Sequence, residues 1–177
     1  MSDNWKQCVE EGNAAYAANR VAEAEVKFVE ALAQAEAFGE DDPRLSLSLN
    51  NLAAVFHTQG KFTMAEPLYQ RALAIKEKLH GGDHAEVALN LHNLAVLYSA
   101  RKMYPVAEKH YKLALEMKER LFGADHPELL NTLKYYAQLL KLLNRPVDQT
   151  LIESKMKAVL EKQSQLDSTD CCTPAET

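Results

Sequence analysis

Asparagine recurs at Asn13, Asn51 and Asn93 in the middle of stretches that otherwise read as helix, with further copies at Asn50 and Asn131. It is a mediocre helix former, so a place inside a helix calls for another reason. Its amide donates and accepts at once, and a row of amides can hold the backbone of an extended peptide. The competing structural reading is an amide bonded to a neighbouring segment's backbone, since buried polar groups rarely stay unpaired. Histidine is the other recurrent type. His84 and His126 stand 42 residues apart in "GGDH" and "GADH", with His80 just before the first. That recurrence marks them as loop and cap residues, and no cysteine or carboxylate cluster completes a metal site beside them. His57 and His92 remain, as partner contacts or as groups of modest pH sensitivity. Cys171-Cys172 could carry a lipid or a redox change, but the preferred reading is a solvated tail with incidental cysteines. No nucleophile elbow, phosphate loop or paired-carboxylate motif is present, so neither an enzyme nor a cofactor is expected.

The elements that must position these groups repeat. From Asn50 to Val87 the chain reads "NNLAAVFHTQGKFTMAEPLYQRALAIKEKLHGGDHAEV"; from His92 it reads "HNLAVLYSARKMYPVAEKHYKLALEMKERLFGADHPEL". Leu52 and Leu94, Ala53 and Ala95, Tyr69 and Tyr111, and Gly81 and Gly123 are each 42 residues apart. Leu133, Ala137 and Leu139 extend the register forwards, and Glu10–Leu32 extends it backwards with one residue fewer. Self-similarity at such a period is the mark of a repeat array. Within each copy, Leu49, Leu52, Ala53 and Phe56 form one helical stripe, and Ala65, Leu68, Tyr69, Ala72 and Ile75 form a second after a short break. Each copy is therefore a helix hairpin, in which small alanines leave holes for large aromatic rings from the neighbouring helix. Eight helices are expected, roughly at 3–18, 21–38, 43–59, 62–79, 84–101, 104–121, 127–143 and 147–163. Gly60 separates two helices, Gly81 and Gly123 close two others, and Asp83-x-x-Glu86 and Asp125-x-x-Glu128 resemble capping boxes, with Pro127 in a first turn.

The totals agree with one helical domain. The 177 residues are 47% hydrophobic, with a formal charge of −5 and a pI of about 5.7, and that mild acidity argues against nucleic acid as a partner. No apolar run reaches membrane-span length, so no membrane association is expected, and three cysteines without a framework spacing suit a reducing, cytoplasmic compartment.

"GNAAYAANRVAEAEVKFVEAL" resembles a tetratricopeptide repeat through Gly12, Ala15, Tyr16, Ala24, Phe28 and Ala31, and the 42-residue form with "NNLA" and "GGDH" is similar to the variant in kinesin light chains. The resemblance implies an all-α fold, a right-handed superhelical array of antiparallel helix hairpins (an α-solenoid). It divides residues 1–163 into four repeats at about 5–42, 43–84, 85–126 and 127–163, with 164–177 as a disordered tail. The fourth copy drifts, with Pro146 in the place of Tyr104 and Gln149 in the place of Ala107, as expected of an outer unit. In such repeats the first helices line a concave groove. The groove-facing positions are then Lys6, Val9, Glu10 and Asn13 in the first repeat, Leu47, Asn50, Asn51, Ala54 and His57 in the second, Leu89, His92, Asn93, Val96 and Ser99 in the third, and Asn131, Lys134, Tyr135, Gln138 and Lys141 in the fourth. The partner contacts expected among them are Asn13, Asn50, Asn51, His57, His92, Asn93, Ser99, Asn131, Lys134, Tyr135 and Gln138. In related repeats the asparagine is the usual contact to a peptide backbone. The carboxylate clamp of heat-shock co-chaperones is not expected, because its cation places hold Val9 and Leu89. The implied function is that of an adaptor or scaffold binding a protein or peptide segment in its groove. Two other readings remain open: an assembly chaperone shielding a client against Leu47, Leu89 and Val96, and a structural module that self-associates through its outer repeats.

Overall fold

Each apolar stripe becomes the buried face of a helix. A computed structural model describes the backbone of residues 2–170 and the side chains of 4–165. It contains eight α-helices: α1 (Ser2–Ala17), α2 (Val21–Glu36), α3 (Pro43–Thr58), α4 (Phe62–His80), α5 (Ala85–Ala100), α6 (Tyr104–Phe122), α7 (Leu130–Leu142) and α8 (Pro146–Asp170). One 3-10 turn, Pro127–Leu129, leads into α7. Consecutive helices pair as four hairpins, and the second helix of each hairpin packs on the first helix of the next. The first helices of successive repeats also touch, α3 with α5 and α5 with α7. Among the described residues no comparably close contact joins the second helices, so the first helices line the inside of the arc. Ala53 and Ala95 are fully buried, as are Ala24, Ala65 and Ala107 on the second helices, and one apolar core threads all four hairpins. In the first repeat the small residue must be glycine. A Cβ on Gly12 would lie 2.5 Å from Cε1 of Phe28, inside the ring's contact surface.

The turns inside the hairpins share one backbone device. Asn19, Gly60, Lys102 and Asn144 occupy equivalent places, with φ of 58°, 73°, 59° and 52°. In each, the following N–H donates back to a carbonyl of the helix just ended: Arg20 to Ala15, Lys61 to Phe56, Met103 to Tyr98 and Arg145 to Leu140.

Two expectations need correction. Asp83 and Asp125 do not cap α5 and the turn before α7. The caps are His84 and His126, whose Nδ1 atoms accept from the N–H of Glu86 (3.3 Å) and Glu128 (3.2 Å). Each imidazole is steadied by a ring one helix end away, His80 at 3.8 Å from His84 and Phe122 at 5.0 Å from His126. The aspartates are taken by stronger partners. Arg120 grips Asp83 with two bonds, Nη2 at 2.6 Å and Nε at 2.9 Å, and Lys162 reaches Asp125. The second correction is the length of α8, which runs to Asp170 rather than stopping at 163. Glu161, Lys162, Gln163 and Gln165 are sound helix formers, no glycine or proline intervenes, and Lys162 ties that stretch to Asp125. The rest of the expected tail, with Cys171 and Cys172, lies outside the described residues. Within α8 the buried face is Ile152 and Val159 with Met156 beside them, while Glu153, the counterpart of Tyr111, points out to solvent.

Candidate functional site

The inner surface can be read as a grid. Its positions are Leu47, Asn51, Ala54 and Thr58 on α3; Leu89, Asn93, Val96 and Ala100 on α5; and Asn131, Tyr135, Gln138 and Leu142 on α7. All twelve are partly or fully exposed. Two depressions interrupt the grid. One, of about 370 Å³, draws on all four repeats and is lined by Tyr16, Ala54, His57, Thr58, Tyr69, His92, Asn93, Val96, Asn131 and Tyr135. The other, of about 320 Å³, lies toward the start of the first helices and is lined by Trp5, Pro43, Arg44, Leu47, Asn50, Lys76, Glu86 and Leu89. Between them Asn93 Nδ2 donates to Asn50 Oδ1 at 2.9 Å. That bond leaves Asn93 an acceptor and Asn50 a donor, the complement of one peptide unit. Asn13 and Asn51 make no side-chain hydrogen bond among the described residues.

The expected groove set divides into two groups. Asn13, Asn51, Asn93, Asn131, Tyr135 and Gln138 stand on the open inner face. Asn50, His57, His92, Ser99 and Lys134 belong instead to the flank of the first helix that turns toward the following repeat. His92 shows this best: it is 3% exposed, its Nε2 lies 3.3 Å from Asn131 Nδ2, and its ring meets those of Tyr135 (5.4 Å) and Tyr111 (5.8 Å) edge-on. Burial, and then the positive charge of Lys118, push its pKa down to about 4, so it is a neutral hydrogen-bonding group and not a sensor near pH 7. Its Nδ1 is buried without a partner among the described residues, and so is Nε2 of the half-buried His57, whose pKa is also lowered by burial. Lys134 and Lys141 take the places of His92 and Ser99 on α7 and are exposed.

The structural reading of a mid-helix asparagine is realised, but at Asn90. Asn90 is fully buried, donates to the backbone oxygen of Tyr69 in the preceding repeat at 3.1 Å, and accepts from Lys76 Nζ at 3.2 Å. Lys76, only 3% exposed, also pairs with Glu86 at 3.5 Å; burial lowers its pKa and Glu86 partly opposes that. Lys118 repeats the device, donating to the backbone oxygen of Glu128 at 2.9 Å. Trp5, whose Nε1 donates to Ser48 Oγ at 2.9 Å, and Tyr16, whose hydroxyl meets that of Thr58 at 2.7 Å, also frame the inner face. The signal for the buried lysines was present in the sequence: Lys76 and Lys118 recur at 42 residues inside otherwise apolar stripes.

The tetratricopeptide repeat family model matches residues 9–78, 45–120 and 86–148, three overlapping placements that together cover most of the chain. This is a tetratricopeptide repeat protein. Such repeats are in general a module of protein–protein interaction. Among solved structures the chain is similar to BtubC (BKLC) from P. vanneervenii, with a TM-score of 0.67 and 23% identity over 94% of this chain and 64% of that one. It therefore spans less than two thirds of that relative's length. It is also similar to the nearly identical TPR-like repeats of a Podosopora anserina protein assigned as a kinesin light chain. There the TM-score is 0.73, with 20% identity over 90% of this chain and 76% of that one. For a variant of the same Podosopora anserina protein the score is 0.76, with 20% identity over 91% of this chain and 76% of that one. At these identities the likeness is one of fold. No curated protein matches in sequence. Among the described residues no helix is long and apolar enough to cross a membrane.

Proposed function

We propose that this tetratricopeptide repeat protein is an adaptor or scaffold that binds an extended protein segment along its concave face. The observation that carries the reading is the state of the inner amides. Asn51 is half-buried with an unengaged amide, and the Asn50–Asn93 pair presents one free donor and one free acceptor beside it. Partly exposed amides of this kind meet water in the free molecule and can exchange it for a peptide backbone. Replacing Asn51 and Asn93 by Ala tests this. Affinity for the proteins that the immobilised full chain retains should fall by about 1–3 kcal/mol, while the melting curve stays level or improves, because Ala is the better helix former. A lowered melting curve with undiminished retention by the folded fraction would retire the reading. A second reading rests on the fourth repeat, where Val147 and Leu151 on α8 are 82% and 61% exposed. That cluster suits contact between copies of the chain. Sedimentation over a concentration range, with Leu151→Ser as the control, separates it from groove binding.

A further inference from the structure

The inner face carries an electrostatic signature. A quarter of the residues in this chain are charged, 20 Lys and Arg with 25 Asp and Glu, so the twelve inner-face positions of repeats two to four would carry about three charges by composition alone. They carry none. Those positions hold amides, hydroxyls, a phenol and aliphatic side chains. The charges at the edge of the smaller depression are already committed: Arg44 forks onto Asp42 at 2.8 and 2.7 Å and stacks on Phe38 at 3.4 Å, and Lys76 is held by Glu86 and Asn90. In the first repeat the equivalent places of Leu47 and Asn51 hold Lys6 and Glu10, exposed charges that pair with each other at 3.7 Å. Lys134 and Lys141 stand on the flank of α7 turned away from α5 and do not line the larger depression.

Resting on the peptide-binding reading above, we propose that the groove selects an uncharged extended segment. A bulky aliphatic or aromatic side chain seats against Trp5, Leu47 and Leu89, the backbone crosses the Asn50–Asn93 pair, and a neutral hydrogen-bonding side chain lies over His57, His92 and Tyr135. An ionised side chain laid against repeats two to four would give up hydration and find as charged neighbours only groups already paired, Arg44 with Asp42 and Glu86 with Lys76. A neutral polar group loses less, and His57 Nε2 and His92 Nδ1, buried atoms without a partner among the described residues, belong to side chains that line the larger depression. Leu47 and Leu89, 39% and 43% exposed beside the half-buried Trp5, give an apolar anchor area to cover.

The test is selection of random dodecapeptides displayed on phage against the full chain. The expected result is enrichment of peptides pairing Leu, Ile or Phe at a fixed spacing with Asn, Gln, Thr or Tyr, and several-fold depletion of Asp, Glu, Lys and Arg. Synthetic copies should bind within twofold of the same affinity at about 50 and about 500 mM salt, because screening acts only on charges. Enriched peptides that are acidic or basic, with affinity falling tenfold across that range, overturn the proposed selectivity but leave a groove-binding array standing. Leu89→Lys and Asn51→Ala should each weaken the neutral peptides at least fivefold. Peptides that bind both variants as tightly as the unmodified chain dock elsewhere, and they overturn the groove reading itself. Failure to enrich any peptide overturns it too.

Discussion

On the inner face, Asn51, Ala54, Asn93 and Val96 stand without a charge among them, whereas ion pairs recur at each junction between hairpins, laid over the apolar core that joins them. Glu25, Glu66 and Glu108, at equivalent places on the second helices, each reach the turn of the next repeat. Glu25 meets Lys61 and Gln59, Glu66 meets Arg101 and the Tyr98 hydroxyl, and Glu108 meets Arg145 and the Tyr136 hydroxyl. A second ladder joins Asp41 to Lys78, Asp83 to Arg120 and Asp125 to Lys162, each pair separated by 37 residues. The same period thus produces two surfaces of opposite chemistry. Exposed ion pairs contribute little stability each, but a ladder repeated at every junction favours one stacking register over its neighbours. An inner face without charges in repeats two to four leaves its hydrogen-bonding capacity for another chain.

The largest effect expected from this contrast lies at the inner boundary, at His92. In the unfolded chain the imidazole titrates near 6.5; in the folded chain it does so at about 4. Between those values the unfolded state takes up a proton that the folded state refuses, so stability falls as pH drops from 6.5 to 4. This group's share of the loss is about 3 kcal/mol by pH 4 and levels off below it. His57, also lowered by burial, adds to the same slope. Urea midpoints measured from pH 7 to pH 4 should show the fall, and His92→Gln should remove most of it. Equal slopes in the two chains would mean that His92 meets water in solution.

A smaller loss is expected where both faces share their core. Ala95→Leu adds volume at a fully buried position between close-packed helices and should cost about 2 kcal/mol through overpacking. Ala100→Leu, five residues on and exposed, is the control and should be near neutral. An unchanged urea midpoint for Ala95→Leu would show room that the close packing denies.

Helix number, pairing and the 42-residue register were legible in the sequence because small and large apolar residues alternate on fixed stripes. His92 was expected on the open face and stands on the adjoining flank for a geometric reason. Positions facing the groove and positions facing the next repeat are neighbours on the helical wheel, so Asn93 and His92, one residue apart, differ by only about 100°. Nothing in a single helix says where the next hairpin will sit. The caps at His84 and His126 were hidden behind aspartates of the preferred type, which only the approach of Arg120 and Lys162 from 37 residues away draws off. The Glu66 and Glu108 ladder was invisible for a related reason. Exposed charges occur throughout the chain, and only the stacked structure tells which of them meet.

The outer surface offers a third way to probe the contrast. Glu108 is largely buried by its partners Lys112, Arg145 and Tyr136; burial acts to raise its pKa, but the two cations outweigh it and hold the carboxyl below its usual range. Glu108→Gln keeps the shape and removes the charge, and a loss of about 1 kcal/mol is expected, reduced at high salt. Peptide binding in the groove should be untouched. A groove affinity that fell with the ladder would show that the two surfaces are not independent.

The smallest expected effect is a gain, at Lys102. This residue closes the hairpin turn of the third repeat at φ 59°, where the second repeat uses Gly60 at φ 73°. A side chain in this left-handed region costs about 1–2 kcal/mol, because Cβ crowds the following carbonyl. Glycine removes that cost but gives the unfolded chain more freedom, a penalty of about 0.5–1 kcal/mol. Lys102 makes no ion pair among the described residues, so nothing else is lost on replacement. Lys102→Gly should therefore stabilise by about 0.5 kcal/mol, read as a higher urea midpoint at constant slope. Gly60→Lys should destabilise by a similar amount, the mirror of the same argument. The pair also bears on what holds the junction. Arg101, next in the chain, carries the ion pair to Glu66. If that ladder rather than the backbone turn sets the geometry, the two replacements will leave the midpoint where it was; a gain at Lys102 matched by a loss at Gly60 assigns the junction to the turn, with the ladder laid over it.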